Sequence, residues 1–504
     1  MAHARPAPFA LGGRPSLADL FSVAHGRAVS LGASARKRIE DCRRRLLAAT
    51  GSGRPVYGVN TGFGELASRR IGPDQLTALQ RNLVLSHACG VGEPLEPRES
   101  RAMLFLRANE LARGYSGVRR ELVETMLRLL KAGAAPVIPS RGSVGASGDL
   151  APQAHMALLL IGRGEAFLDG RRIGGAEALR RAGAKPLSLQ AKEGLALLNG
   201  TQAMQAVGGL ALARAFNVFE AAQAAGTLSL EALTGTPDPF DPVLHKLKPH
   251  PGQLAAARQL HAMMADSQIR QSHREDDPRV QDPYSLRCLP QVHGAVLEAL
   301  ENARVTVETE MSSVTDNPVV IGSQVRSGGH FHGQALAFAF DFAAIALTAL
   351  GNMSERRIAH LVSGRAPKLS PFLAQDPGLE SGWMIPQVVA AALASENKVL
   401  AHPASADSIP TSGGQEDFVS MGMAAALKFK TIVSRAAQIV AIELLAASQA
   451  VEAHAPLRPG RGPAKALALL RQLAPRSSGD EELGSRIESV ARAVLAGYFG
   501  EALK

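Results

Sequence analysis

Cysteine is scarce in this 504-residue chain, which contains only Cys42, Cys89 and Cys288. Because the number is odd and no CxxC pair occurs, neither a disulfide framework nor a metal site is expected. Aromatic residues make up only 4% of the sequence. Single-stranded nucleic-acid binders interleave aromatic side chains with basic ones. The net charge of +10 is therefore interpreted as solvated helix faces, and no nucleic-acid partner is predicted.

The sequence also lacks an N-terminal apolar signal core and a long apolar run. Residues 1–15 carry several prolines and glycines, which predicts a loose arm rather than a secretory leader. The most apolar stretch, at 335–350, contains Asp341 and is expected to be too short to span a bilayer. Together with the few cysteines, these features predict a cytoplasmic protein with no membrane partner.

Alanine and leucine are abundant, and both favour helices because they lose little side-chain entropy there. Long segments with few breakers are typical of a helical bundle. We predict a loop-rich domain over 1–203 and a long helical bundle with C-terminal helices over 204–504. A polar insertion at 167–173 predicts a hairpin. The segments with helical spacing are 17–23, 33–49, 75–84, 98–132, 153–160, 202–233, 292–309, 336–360, 384–402 and 419–452.

Two glycine-rich segments interrupt the helical pattern. The first, VYGVNTGFG at 56–64, predicts a turn-rich loop that can act as a lid. The second is GSVGASGDLAP at 142–152. Within it, the backbone nitrogen of Gly148 can reach the carbonyl carbon of Ala146, because glycine has no side chain. Ring closure and loss of two waters, one containing the hydroxyl of Ser147, would give an electrophilic methylidene-imidazolone, which no ordinary side chain supplies.

The string at 142–152 resembles the signature of the aromatic amino acid ammonia-lyase family, which includes histidine, phenylalanine and tyrosine ammonia-lyases and related aminomutases. Further strings agree with that family in order and spacing and cover most of the chain. They are YGVNTGFG at 57–64, KEGLALLNGTQ at 192–202, QDPYSLRC at 281–288, TDNP at 315–318, SERR at 354–357 and SENK at 395–398.

The resemblance implies a mainly α fold, an aspartase/fumarase-like long helical bundle with an N-terminal loop-rich region that carries the ring-forming motif. It implies a single prosthetic group, methylidene-imidazolone (MIO), formed autocatalytically from Ala146, Ser147 and Gly148, with no external cofactor. It also implies a homotetramer whose active sites are shared between chains. A single copy of such long apolar helices would leave a large apolar face exposed.

The resemblance further assigns catalytic roles to two tyrosines. The β-proton of the substrate is not acidic, so a strong base must meet it inside a shielded pocket. Tyr57, on the glycine-rich loop, is the candidate base, and Tyr284 is expected to take part in the chemistry. The alternative for Tyr57 is a packing aromatic beside glycines.

Four other residues are expected to bind substrate or the prosthetic group. Arg287 offers a planar fork of donors that suits a carboxylate, although it could instead form a structural ion pair. Asn199 can hydrogen-bond the prosthetic ring or the substrate carboxylate. Gln281 is expected to complete the polar wall, and Phe331 to pack against the prosthetic ring.

Substrate choice depends on two further positions. Histidine-specific members of the family resemble this chain at Ser86-His87, and His87 can hydrogen-bond an imidazole nitrogen. Glu416 can hold or deprotonate the imidazole, whereas a carboxylate facing a plain phenyl ring would be desolvated without a partner. Three departures from the family, at His330, Gly414 and Phe418, leave preference for another aromatic amino acid open.

The sequence therefore predicts non-oxidative deamination of L-histidine to trans-urocanate and ammonia, a step in histidine degradation. Related alternatives are a tyrosine or phenylalanine ammonia-lyase and an MIO-dependent 2,3-aminomutase, which shares the main catalytic residues. An alternative of another class is a non-catalytic helical scaffold or a nucleic-acid binder that keeps the fold. The intact Ala146-Ser147-Gly148 triplet, Tyr57 and Arg287 argue against that class.

Overall fold

The computed structural model describes residues 6–50, 55–62, 68–275, 277, 279–477 and 479–503. The mainly α fold predicted from the sequence is confirmed. In these ranges the α-helices are Leu17–Ala24 (α1), Ala33–Thr50 (α2), Leu76–His87 (α3), Pro97–Leu111 (α4), Arg120–Ala132 (α5), Leu150–Leu160 (α6), Gly175–Arg181 (α7), Glu193–Leu198 (α8), Gln202–Ala232 (α9), Pro242–His245 (α10), Pro251–Met263 (α11), Gln268–Ser272 (α12), Tyr284–Arg287 (α13), Leu289–Met311 (α14), Gln334–Leu361 (α15), Met384–Leu400 (α16), Gly422–Glu452 (α17), Arg461–Leu473 (α18) and Gly484–Leu495 (α19).

Short strands lie between the helices. They are Phe9–Ala10 (β1), Val29–Ser30 (β2), Val91–Pro94 (β3), Ala135–Pro136 (β4), Pro139–Arg141 (β5), Glu165–Leu168 (β6), Arg171–Gly174 (β7), Val319–Ile321 (β8) and Gln324–Arg326 (β9). β1 pairs with β2 in parallel, and the pairs β3–β5, β4–β6, β6–β7 and β8–β9 are antiparallel. The predicted hairpin is confirmed as β6–β7. Its turn residues, Asp169 and Gly170, both have positive φ, as a two-residue hairpin turn requires.

The contacts divide the chain into two compact units. The first unit comprises Met1–Leu210, Arg304–Phe340 and Pro403–Leu427, and the second comprises Ala211–Ala303, Asp341–His402 and Lys428–Lys504. Each unit thus combines stretches that are distant in sequence. The domain boundary after residue 203 stays a prediction.

The single helix predicted over 98–132 is wrong. Helix α4 ends at Leu111 and α5 begins at Arg120, and between them Gly114 and Gly117 have φ of 80° and 69°. A Cβ on Gly114 would lie 2.7 Å from the carbonyl oxygen of Arg38. The chain therefore turns here because two glycines adopt left-handed backbone against a close neighbour.

The loose arm predicted for residues 1–15 is also wrong where the chain is described, from residue 6 onward. Phe9 and Leu11 are buried, and the nitrogen of Leu11 donates to the carbonyl of Ser30 at 2.8 Å. The ring of Phe9 packs edge-on against Phe105 with a centroid separation of 5.2 Å. Two apolar side chains among the prolines and glycines are enough to fix this segment.

Two helices, α15 and α17, are long and apolar enough to cross a membrane by length and composition. The expectation that the apolar stretch at 335–350 is too short is therefore corrected, because it belongs to the 28-residue helix α15. The most apolar windows of the two helices are 72% and 78% buried inside the protein. Such burial is typical of core helices.

A buried ion pair organises the second unit. The guanidinium of Arg357 and the carboxylate of Glu443 are both fully buried, with Nε–Oε1 and Nη2–Oε2 separations of 2.5 and 2.8 Å. The hydroxyls of Ser229 and Ser354 also donate to this carboxylate. The remaining Nη1 of Arg357 donates to the carbonyl of Ser285 at 3.3 Å, which ties the pair to the short helix α13.

We expect Arg357→Met to destabilise the protein by about 3–5 kcal/mol, because it leaves the Glu443 carboxylate buried without its cation. Thermal unfolding of the purified variant measures this. The double variant Arg357→Met/Glu443→Gln removes the unpaired charge and should recover part of the loss. Equal destabilisation by the single and double variants would show that the charge pairing is not the cause.

Candidate active site

The glycine-rich segment at 142–152, here named the ring-forming segment after its predicted role, lies in the first unit. It bends sharply and contacts the backbone of Gly200. Gly148 has a φ of 73° and forms a parallel bridge with Gly200. The nitrogen of Asp149 donates to the carbonyl of Gly200 at 2.8 Å. A Cβ on Gly148 would collide with that same carbonyl oxygen. The third position of the Ala146-Ser147-Gly148 triplet therefore has to be glycine, both for its φ and for space.

Asp149 anchors this segment to the start of α9. Its carboxylate is fully buried and accepts hydrogen bonds from Ser143 Oγ and from the nitrogen of Met204, each at 2.8 Å. Burial raises the pKa of Asp149 to about 6, although these donors act in the opposite direction. The first turn of a helix offers free N–H groups and a positive dipole end. The carboxylate thus binds where a helix stabilises negative charge.

Ser147 and Asn199 make contacts that fit the predicted prosthetic ring. Asn199 Nδ2 lies 3.4 Å from the carbonyl oxygen of Ser147. Its Oδ1 is buried and has no hydrogen-bond partner in the described part of the chain. Ser147 Oγ donates to Glu416 Oε1 at 2.8 Å. A glycine that closes the turn and a serine hydroxyl are the groups that ring closure needs, and Asn199 Nδ2 can donate to the Ser147 carbonyl oxygen that the ring would keep.

Glu416 is fixed inside a tight turn. Its second oxygen, Oε2, accepts from Thr411 Oγ1 and Ser412 Oγ, each at 2.8 Å. The nitrogen of Thr411 also donates to the carbonyl of Glu416 at 2.8 Å. Gly414, one of the departures from the family, has a φ of 94° and open space where a Cβ would stand. Glycine satisfies that backbone conformation without strain.

The loop that carries Tyr57 is closed by its own polar side chains. The nitrogen of Val56 donates to Asn60 Oδ1 at 2.7 Å, and the nitrogen of Gly58 donates to Thr61 Oγ1 at 3.2 Å. Tyr57 itself is half-buried. Two further residues of the predicted loop string, Phe63 and Gly64, lie outside the described residues.

Gln80, on α3, was missed by sequence reasoning. It is fully buried and its Nε2 donates to the carbonyl of Gly58 at 3.5 Å, while its Oε1 accepts from the nitrogen of Leu195 at 3.2 Å. One amide thereby joins the Tyr57 loop to α8. A polar residue in an amphipathic helix gives no sequence signal for such a bridge.

His87 is the last residue of α3 and is half-buried. Burial lowers the pKa of His87, and the Leu83 backbone and the charge of Glu416 oppose this shift. Ser86 Oγ lies 3.0 Å from His87 Nδ1. At neutral pH the ring is therefore uncharged, and it can donate at one nitrogen and accept at the other.

A cavity of about 670 Å³ in the first unit brings five of the predicted residues together. They are Tyr57, His87, Ser147, Asn199 and Glu416. Leucine side chains from α3, α6 and α8 contribute to the wall, as do the polar Asn82 and Ser86 and the exposed Arg69. Arg69 gives the cavity a guanidinium that sequence reasoning did not identify, because it lies in a segment without motif or periodicity.

The remaining predicted residues are not lining residues of this cavity. Gln281, Tyr284 and Arg287 belong to the second unit, where Tyr284 and Arg287 begin and end α13. Tyr284 is 70% exposed, and the guanidinium carbon of Arg287 lies 4.8 Å from the centre of its ring. Arg287 Nε is buried and unpaired among the described residues. Phe331 is half-buried in the first unit.

The other two departures from the family also lie outside the cavity wall. His330 is exposed, and Phe418 stacks on His332 with a centroid separation of 6.0 Å and an interplanar angle of 12°. Among the described residues, no group of three or more His, Cys, Asp or Glu is placed to hold a metal ion.

Comparison with known proteins gives consistent matches over most of the chain. A family model described as aromatic amino acid lyase matches residues 16–472. The chain is 49% identical over 484 residues to a histidine ammonia-lyase from Myxococcus xanthus, covering 95% of each chain. It superposes on a histidine ammonia-lyase structure from Trypanosoma cruzi with a TM-score of 0.91 and 39% identity, covering 99% of this chain and 95% of the other. A tyrosine aminomutase structure from Streptomyces globisporus gives 0.93 and 36%, covering 98% of each.

Proposed function

Because the chain belongs to the aromatic amino acid lyase family, we propose that it removes the α-amino group of L-histidine without oxidation, releasing trans-urocanate and ammonia. One observation carries the choice of substrate: His87 and Glu416 line the same cavity as the ring-forming Ser147. Its curated relatives of about half identity are named histidine ammonia-lyases, which supports the same substrate. Incubation with each aromatic amino acid, followed in the ultraviolet for a conjugated acrylate, tests the proposal.

The prosthetic group of the proposal is MIO, formed from Ala146, Ser147 and Gly148. It supplies an electrophilic carbon. The φ of Gly148 and its contact with Gly200 support ring closure, and Asn199 offers the ring an amide that is buried beside Ser147. Intact-mass measurement tests this part directly, since a mature chain is lighter than its sequence by two water molecules.

Tyr57 is the proposed base that removes the β-proton. It lines the cavity together with apolar side chains such as Leu83, Leu195 and Leu198. Gln80 holds the neighbouring carbonyl of Gly58, so the phenol is carried on a segment tied to the rigid helix α3.

His87 and Glu416 would recognise the imidazole. Imidazole is polar at both nitrogens, so a pocket that admits it must offer partners or strand buried polar atoms. The lowered pKa of His87 keeps that ring neutral, and the fixed carboxylate of Glu416 accepts a proton or a hydrogen bond. A phenyl substrate would offer neither group a hydrogen bond, and Glu416 would keep only the donors of its own turn, Thr411 and Ser412.

Arg287 is proposed to bind the substrate carboxylate, Gln281 to complete the polar wall and Tyr284 to take part in the chemistry. The active sites are proposed to be shared between the chains of a homotetramer. The exposed apolar residues Ile385, Val388 and Val389 lie at helical spacing on α16 and support burial against another copy. We place the enzyme in the cytoplasm. Light scattering of the purified protein tests the tetramer.

A second candidate is a 2,3-aminomutase, favoured by the structural match to a tyrosine aminomutase. A mutase retains ammonia and adds it back, so its product is a β-amino acid. Chromatography of the reaction products separates the two functions: an acrylate with free ammonia supports the lyase, and a β-amino acid supports the mutase.

His87 and Glu416 together are expected to set the preference for histidine. In His87→Phe, turnover of histidine should fall by about five- to hundredfold, because one imidazole partner is lost. Some turnover of phenylalanine should appear. The gain should remain small until Glu416→Gln is added, since an unpaired carboxylate would otherwise face the phenyl ring. Values of kcat/KM for both substrates measure this.

The double variant should favour phenylalanine by more than the product of the two single effects, as expected for residues that share one ligand. Strictly additive effects, or unchanged histidine turnover in His87→Phe, would place selectivity elsewhere. His330 and Phe418 would then be the next positions to change.

A further inference from the structure

A buried polar cluster forms around Glu110 and contains Thr315 of the TDNP string, which the proposed chemistry does not use. Glu110 is 3% exposed, and its Oε1 accepts from the nitrogens of Thr315 and Asp316, each at 2.9 Å. Its Oε2 accepts from Thr315 Oγ1 at 3.0 Å and also from Gln202 Nε2. Arg107 is fully buried and pairs with Glu110 at 3.4 Å. Arg107, Glu110, Gln202 and Thr315 are here named the Glu110 cluster.

The Glu110 cluster packs directly against Gly200. A Cβ on Gly200 would lie 2.5 Å from Thr315 Oγ1, 2.6 Å from Arg107 Nη2 and 2.6 Å from Gln202 Oε1. Arg107 Nη2 also donates to the carbonyl of Asn199 at 3.0 Å. Gln202 Nε2 donates to Thr315 Oγ1 at 3.0 Å. Three side chains of the cluster therefore fix this stretch of backbone.

Gly200 in turn contacts the ring-forming segment. Its carbonyl oxygen accepts from the nitrogen of Asp149 at 2.8 Å and would collide with a Cβ on Gly148. The cluster and the end of the Ala146-Ser147-Gly148 triplet are thus joined through a single glycine with no intervening side chain. A shift of the cluster would move the surface on which Gly148 rests.

We propose that the Glu110 cluster holds Gly200 as a template for ring closure. Arg107, Glu110 and Thr315 are then positioning residues for formation of the prosthetic group, and this inference rests on the proposed function. A fixed bend holds the two reacting backbone groups close together, so the loop does not have to sample other conformations before the ring closes. The entropic part of the barrier to ring closure is thereby lowered. The buried hydrogen bonds of Glu110 with Thr315 and Gln202 keep that bend from relaxing.

The ring closes without oxidant or reductant. The nitrogen of Gly148 bonds to the carbonyl carbon of Ala146, and the carbonyl oxygen leaves as water with the hydrogens of the Ser147 and Gly148 nitrogens. The second water contains the hydroxyl and the Cα hydrogen of Ser147, which leaves the carbon–carbon double bond. The cluster touches none of these atoms and acts through the backbone of Asn199 and Gly200.

The test compares Thr315→Val with Thr315→Ser in the full-length protein. Valine keeps the shape but loses the hydroxyl that contacts Glu110 and Gln202, whereas serine keeps the hydroxyl. Intact mass is recorded at intervals after synthesis, and the fraction of folded chain that has lost two waters is measured. We expect loss of the waters to be at least about fivefold slower in Thr315→Val, and within about twofold of the unchanged protein in Thr315→Ser.

Ser267→Ala is the control for general destabilisation. It removes the buried hydrogen bond from Ser267 Oγ to Glu231, which is 2.8 Å long and lies in the second unit. This variant should form the ring at the unchanged rate. Equal slowing in Ser267→Ala, or an unchanged rate in Thr315→Val, overturns the inference.

If Thr315→Val does not fold, the same measurement is made on Glu110→Gln. The glutamine side chain has one acceptor oxygen instead of two, so it cannot accept from the two backbone nitrogens and also from the Thr315 hydroxyl. Slowing in Glu110→Gln supports the template, and an unchanged rate overturns it. An unchanged protein that keeps its full sequence mass is a different result: it contradicts the proposed prosthetic group itself.

Discussion

Ser147→Ala is expected to lower turnover by several orders of magnitude while leaving the protein folded. The second water of ring formation contains the hydroxyl of this residue, so an alanine chain can lose one water at most and cannot form the exocyclic double bond. Without that bond the cavity has no electrophile, and its side chains alone cannot activate an amino group for elimination. Kinetics with histidine and intact mass measure the two effects on one sample.

Ser140→Ala is the matched control, since it makes the same change in strand β5, shortly before the ring-forming segment. It should keep activity and the loss of two waters. Activity near that of the unchanged protein in Ser147→Ala would contradict the mechanism. Loss of activity with a normal two-water mass difference would place the double bond elsewhere in the chain.

Tyr57→Phe is expected to keep the prosthetic group and lose most of the rate. The substitution removes one oxygen from a half-buried ring in the cavity wall, and the packing of the ring is retained. General bases contribute about 10²- to 10⁴-fold to a rate, so kcat/KM should fall within that range. Mass measurement shows separately whether the waters have been lost.

Tyr498→Phe provides the control, because that hydroxyl donates to Gln472 on the exposed surface of the second unit. It should leave the rate unchanged. A fall of less than about tenfold in Tyr57→Phe, or about 1.4 kcal/mol of transition-state stabilisation, would mean that Tyr57 is not the base. Tyr284 would then be the next candidate.

Helices were predictable where apolar periodicity is strong and breakers are few. Helix α9 was expected over 202–233 and spans Gln202–Ala232, and the hairpin β6–β7 was expected from one polar insertion. The sequence did not show that α4 and α5 are separate, because a helical pattern tolerates single glycines such as Gly114 and Gly117. Their positive φ and the close contact of Gly114 become visible only in the folded chain. Short helices such as α13 lack enough residues to show a period.

The candidate site was predictable to the extent that motifs mark it. Residues of four separate strings or segments, Tyr57, His87, Ser147 and Glu416, line one cavity, although their roles stay predictions. The role of Gln80 could not be predicted from the sequence, because it consists of two hydrogen bonds to backbone groups that are distant in sequence. Periodicity describes which face of a helix is buried, and it does not describe what a buried amide binds.

Ser147 Oγ donates to Glu416 Oε1, and under the proposed ring formation this hydrogen bond would exist only before the ring forms. When that hydroxyl departs as water, Oε1 loses its donor, while Oε2 stays fixed by Thr411 and Ser412. The dehydration proposed to create the electrophile would therefore also free the acceptor proposed to bind the imidazole. A chain that has not formed the ring would lack both the electrophile and the free acceptor for the imidazole. Such a chain would therefore not bind histidine that it cannot convert.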